Sequence, residues 1–157
     1  MSADPDVLLI AASETDSNLY YATRFLAPDP FIFLRVKGET ILVMSDLEVD
    51  RARATATVDT VLSYSDYEGR VKRREGAHPT AFDVVDLVLQ ERGVTQLLVP
   101  ENFSFEHARR LQAKGCELST KREPFFEERA IKTKREVAAI EAAQRAAEPA
   151  VHRVIDP

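Results

Sequence analysis

Four short apolar runs constrain this chain more than any other feature: Val7–Ala11 (VLLIA), Phe31–Val36 (FIFLRV), Thr40–Met44 (TILVM) and Gln96–Pro100 (QLLVP). Each is too short for a core helix, is rich in aliphatic or β-branched residues, and is bounded by polar or breaker residues, so each reads as a buried strand. The second and third flank Lys37-Gly38-Glu39, which makes them a β-hairpin and therefore antiparallel. Before them lie a polar segment, Ser13 to Asn18, an aromatic segment, Leu19 to Phe25, and the breaker Pro28-Asp29-Pro30.

Helices fill the spaces that follow. Ser45-Asp46-Leu47-Glu48 has capping-box spacing and predicts a short helix to about Ala54. Thr57 to Ser63 reads as a β-branched strand, and the charged, glycine-bounded stretch Asp66 to Gly76 as an exposed loop. Pro79 suits a first helical position and Gly93 the residue past a helix end, with Phe82, Val85, Val88 and Leu89 at helical spacing between them. Phe103 to Lys114 is the next helix, Gly115 its stop, and Cys116 to Ser119 a last short strand. Alternating helices and strands imply parallel pairing by crossovers, so the fold class is α/β: a mixed β-sheet flanked by helices, of ribonuclease H-like architecture.

The end of the chain follows a different pattern. Thr133-Lys134-Arg135-Glu136 is a second capping box, and Val137, Ile140, Ala143, Ala147, Val151 and Val154 form an apolar stripe along the helix it opens. Pro149 is expected to kink or interrupt that helix. Residues 1–132 thus read as one domain, and 133–157 as an amphipathic helix in need of a partner, with Val137, Ile140, Ala147 and Val151 as its interface.

Charge and motif content exclude several functions. The chain has 157 residues and a net charge of −5, with its 26 acidic and 21 basic residues well mixed, so no cationic face for nucleic acid is expected. The basic run Arg70 to Glu75 (RVKRRE) reads as part of the solvated loop rather than as a phosphate site. No apolar run approaches a membrane span, no basic leader opens the sequence, and the single cysteine, Cys116, reads as a buried small hydrophobe, so a cytoplasmic location is expected. His78, His107 and His152 lie on separate segments without metal-ligand spacing, and the pair Glu106-His107 reads as two surface residues pointing apart. The five glycines are scattered singly, without a phosphate-binding loop. Asp46, Glu48 and Asp50 form the most acidic cluster; a helix start explains them better than a magnesium-dependent nuclease of ribonuclease H type, which stays as an alternative.

Two segments together carry a family resemblance. Asn18-Leu19-Tyr20-Tyr21-Ala22-Thr23-Arg24-Phe25 is similar to the Asn-x-x-Tyr-x-Thr-Gly-Phe segment of the N-terminal domains of Xaa-Pro aminopeptidases, prolidases and creatinases. Arg129-Ala130-Ile131-Lys132-Thr133-Lys134-Arg135-Glu136, with Ile140 and Ala143, resembles the segment that leads into the catalytic domain in that family. Val43-Met44-Ser45-Asp46 resembles the family's strand end and Asp-started helix. The sequence departs from the family in placing Arg24 where the family has glycine, and in having only about six residues before the first strand.

The resemblance implies a creatinase/prolidase-type N-terminal domain without catalytic residues or metal ligands of its own. It further implies a C-terminal catalytic domain, attached after the Thr133 helix, in which Asp, Asp, His, Glu and Glu hold two divalent metal ions (Mn, Zn or Co) that activate water. The N-terminal domain would contribute dimer contacts and limit access to the active site, with Asn18, Tyr21 and Arg24 at its rim. The alternative from another class is a free-standing α/β interaction module that pairs through the Thr133 helix. Neither reading involves nucleic acid or a membrane.

Overall fold

The structure, a computed structural model, describes residues 5–75 and 79–155; His78 therefore lies outside the described residues. The chain divides into two compact units, the first ending at Phe125 and the second beginning at Phe126.

The first unit is built on a six-stranded mixed sheet of order β4-β3-β2-β1-β5-β6. Its strands are β1 (Val7–Ala11), β2 (Phe31–Val36), β3 (Glu39–Met44), β4 (Thr60–Ser63), β5 (Gln96–Pro100) and β6 (Glu117–Lys121). β2 runs antiparallel to both β1 and β3, whereas β3–β4, β1–β5 and β5–β6 are parallel. A central sheet with one reversed strand is the ribonuclease H-like arrangement expected from the order of runs. The last strand is displaced from its expected position, starting at Glu117 and reaching Lys121. β4 is shorter than expected because Asp59 is taken by its neighbour, its carboxylate accepting from the backbone N–H (2.7 Å) and hydroxyl (2.6 Å) of Thr40.

Val36 pairs with Glu39, leaving Lys37 (φ 50°) and Gly38 (φ 87°) as a two-residue turn with both residues in the left-handed region. That is the type I′ geometry whose twist suits a hairpin, and it favours Asn-Gly. We therefore expect Lys37→Asn to stabilise the chain by about 0.5 kcal/mol and Gly38→Ala to cost about 1–2 kcal/mol, both read by urea denaturation. The Lys37 variant also gives up the bond from its Nζ to the Arg92 carbonyl (2.7 Å), which makes its gain the smaller of the two effects.

Side chains alternate across the strands, so register assigns them to faces. Leu8, Ile32, Leu34, Ile41 and Val43 share one face and form a core with helices α3 (Tyr64–Glu75), α4 (Ala81–Arg92) and α5 (Phe105–Ala113). Leu9, Phe33 and Leu42 point the other way. There α1 (Ser17–Thr23) and α2 (Val49–Thr55) bury Leu19, Val49 and Ala52, and the Phe25 ring meets Phe31 edge to face at 6.0 Å.

α3 overturns the expectation of an exposed loop over Asp66 to Glu75; Gly76, the last residue of that expectation, lies outside the described residues. Ser63 caps it, its hydroxyl accepting from Asp66 N–H (3.3 Å), and Tyr67 and Val71, four residues apart, are buried against the core. These two buried side chains, with the half-buried Tyr64 packed against the same core, bind a helix whose outer face is mostly charged. The capping box expected at Ser45 and Glu48 does not form: α2 starts at Val49 with no side-chain cap, and Glu48 turns to Arg51 (2.6 Å). α4 starts at Ala81, two residues after the first helical position expected at Pro79, with Thr80 as its cap; the Asp83 carboxylate accepts from Thr80 N–H (2.6 Å) and hydroxyl (2.7 Å). Gly93 ends this helix at φ 62°, as its position implied. α5 is shorter at both ends than expected, with Ser104 as its cap.

The second unit holds a 3-10 turn (Glu127–Ala130) and α6 (Lys134–Ile155). The capping box at Thr133 forms, Glu136 N–H donating to the Thr133 hydroxyl and the Glu136 carboxylate accepting from Thr133 N–H (2.9 Å). Pro149 does not interrupt α6, which continues through it: a proline deprives a helix of one hydrogen bond, and the turns on either side retain theirs.

Candidate functional site

α1 carries the three residues singled out as an active-site rim. It starts where Asp16 accepts from Leu19 N–H (2.8 Å), and ends in Arg24, whose N–H donates to the Tyr20 carbonyl (2.7 Å) at φ 50°. Arg24 therefore keeps the left-handed conformation that a glycine adopts freely, at a cost of about 1 kcal/mol. Its guanidinium lies 4.8 Å from the centre of the Tyr21 ring, so Tyr21 and Arg24 form one surface feature. Asn18 faces elsewhere. It is buried and donates through Nδ2 to Glu123, whose other oxygen accepts from Phe125 N–H (3.2 Å). Asn18 thus ties α1 to the segment after β6, while Tyr21 and Arg24 offer a half-buried ring and an exposed cation to the outside.

The acidic cluster separates in the fold. Asp46 accepts from the hydroxyls of Ser65 (2.6 Å) and Ser63 (3.0 Å), which hold its carboxyl below the usual range; Glu48 goes to Arg51, and Asp50 to Arg53 at 3.2 Å. Each carboxylate has its own partner, and among the described residues no three His, Cys, Asp or Glu side chains are placed to hold a metal ion.

His107 is not the surface residue expected. Its ring sits between Phe82 (5.0 Å) and Phe103 (5.6 Å), and burial pushes its pKa down. Glu106 points away to Arg110 (2.7 Å), so the pair is no catalytic dyad. Cys116 is buried, and burial raises its thiol. On α6 all four proposed interface residues, Val137, Ile140, Ala147 and Val151, are exposed. No helix among the described residues is long and apolar enough to cross a membrane.

No protein-family model matches the chain, and no curated protein is similar to it in sequence. Solved structures do share its fold. An Xaa-Pro dipeptidase from Bacillus anthracis superposes with a TM-score of 0.77 at 15% identity, over 96% of this chain and 38% of that one. The prolidase from Pyrococcus furiosus gives 0.70 at 18% identity, over 97% of this chain and 39% of that one. The creatinase/prolidase N-terminal domain of an X-Pro dipeptidase from Streptococcus pyogenes gives 0.50 at 11% identity, over 74% and 81%. The chain therefore has the fold of a creatinase/prolidase N-terminal domain, and it spans less than two fifths of the length of the first two proteins.

Proposed function

We propose that this chain is the non-catalytic N-terminal domain of an Xaa-Pro peptidase of the aminopeptidase P or prolidase type. The observation that carries the reading is the asymmetry of coverage: 96% of this chain matches 38% of a dipeptidase. A C-terminal domain following α6 would supply the peptidase chemistry, with its five ligands holding two Mn, Zn or Co ions. In that protein the first unit contributes dimer contacts and limits access to the active site, Tyr21 and Arg24 lying at the rim with Asn18 holding α1 behind them. The domain boundary falls at the Thr133 cap, and the protein works in the cytoplasm.

The test is genetic and enzymatic. The coding sequence is expected to run on past Pro157 into a domain with Asp, Asp, His, Glu and Glu ligands. The longer product with added Mn, Zn or Co should cleave an Xaa-Pro dipeptide, and the 157-residue chain alone should not. A stop codon directly after Pro157, or tight binding of two metal ions by the chain alone, would overturn the reading. The exposed stripe of α6 favours one second reading, a free-standing module that self-associates through this helix. A light-scattering mass that falls from dimer to monomer on removal of residues 133–157, together with a stop codon after Pro157, would establish it.

A further inference from the structure

β4 is the end strand of the sheet, hydrogen-bonded to β3 on one side only. Every second residue of such a strand turns both its N–H and its C=O outward, a ready template for another strand. Proteins blunt these edges by keeping the strand short, by placing a charge or proline in it, or by covering it; β4, Thr-Val-Leu-Ser, is short but has neither residue. Instead its edge opens into a groove of about 530 Å³ lined by Val61 and Leu62 of β4, Arg53 of α2, and Gly69, Arg70 and Arg73 of α3.

The groove is flanked from both faces of the sheet. Leu62, in register with Val43, belongs to the α3 face, and Val61, in register with Leu42, to the α2 face. A strand laid against β4 alternates its side chains in the same way, meeting Arg70 and Arg73 on one face and Arg53 on the other. The pair Arg53–Asp50 leaves Asp50 91% exposed and is easily exchanged for a new partner, whereas Arg70 is held by Glu91 and stacks on Tyr67. Lys72 and Arg74 add to the positive field of the last turn of α3, against Asp66 in the groove. A second copy of the chain paired edge to edge would set these arginines against their equivalents, which disfavours that occupant.

Gly69 gives an independent indication. A glycine inside a helix costs about 1 kcal/mol relative to alanine. Packing does not require this one: a Cβ there would meet only the far end of the Arg73 side chain, at 3.5 Å. What the missing side chain does is keep the wall of the groove low beside the strand edge.

We propose that the β4 edge is a docking site for an extended acidic peptide segment of a partner protein, which adds to the sheet as a seventh strand and places carboxylates against Arg53 and Arg73. The probe is fluorescein-labelled Glu-Val-Glu-Glu-Val-Glu, titrated with the whole chain and followed by anisotropy. Saturable binding is expected, weakened at least tenfold by Arg53→Glu or Arg73→Glu. Gly69→Gln should weaken binding as much while leaving the chain at least as stable. N-methylation of one alternate set of peptide amides should abolish binding and methylation of the other set should be tolerated, because only one set faces β4. The proposal is overturned if the peptide shows no saturable binding at millimolar chain, if a Lys-for-Glu peptide binds equally, or if both methylated peptides bind like the parent. It is equally overturned if the chain is a dimer that Gly69→Gln disperses.

Discussion

Phe25→Ala is expected to cost about 4 kcal/mol of folding stability, enough to remove much of what holds a domain of this size together. The ring is 1% exposed, meets Phe31 edge to face, and carries the Arg51 guanidinium 4.1 Å from its centre. Arg51 in turn donates to the Leu26 carbonyl (2.9 Å) and pairs with Glu48, so one ring joins the loop after α1 to the start of α2. Truncation leaves a cavity between helices that cannot easily close, because β2 behind it is fixed on both sides by ladder bonds. Guanidinium denaturation of the variant and of Leu26→Ala gives the comparison: Leu26 is 51% exposed and should lose less than about 0.5 kcal/mol. A loss below about 1.5 kcal/mol for Phe25→Ala would mean that the α1–α2 face does not depend on this ring. Adding Arg51→Ala should show a coupling of about 0.5–1 kcal/mol, the cation–π part of the contact.

The same residues show what could be read in advance. Phe25 closes a segment noticed for its resemblance to a known pattern, and the hairpin and β5 were legible because short apolar runs between breakers have few alternatives. α3 was hidden by its composition: with Tyr67 and Val71 as its only buried anchors, charge outweighed periodicity, although Ser63-x-x-Asp66 carried the cap signal. At Ser45 the opposite happened, a correct cap spacing with no cap: Glu48 pairs with Arg51 three residues on instead of reaching back, and its neighbour Asp46 is drawn to Ser63 and Ser65, which the fold and not the local sequence brings near. The candidate site was legible as a segment but not as a surface. Nothing local distinguishes Asn18, turned inward to Glu123 more than a hundred residues away, from Tyr21 and Arg24, turned outward together. The open edge of β4 was invisible for the same reason, since it depends on which strand ends the sheet.

Asp83→Asn is expected to lower stability by about 1–2 kcal/mol at pH 7, and to lose that effect in acid. Burial raises the pKa of this carboxyl, but bonds from Lys114 and from the Thr80 hydroxyl and N–H outweigh it and hold the pKa at about 2, against 3.8. Lys114 Nζ lies 2.8 Å from Asp83 and 3.5 Å from Asp86, so one cation after α5 ties that helix to the first two turns of α4. A folded pKa below the unfolded one means that the unfolded chain binds more protons in between. The contribution is then fully present above about pH 4, declines as pH falls through the interval, and is gone below about pH 2. Full conversion of the shift gives about 2.4 kcal/mol, which partial exposure to solvent reduces to the range stated. Urea midpoints of the parent and the variant should therefore differ at pH 7 and converge near pH 2. An equal difference at both would place the effect in the shape of the cap rather than in its charge. Lys114→Met should reproduce part of the loss at pH 7, and little further loss should follow when it is combined with Asp83→Asn, because the two variants remove the same ion pair.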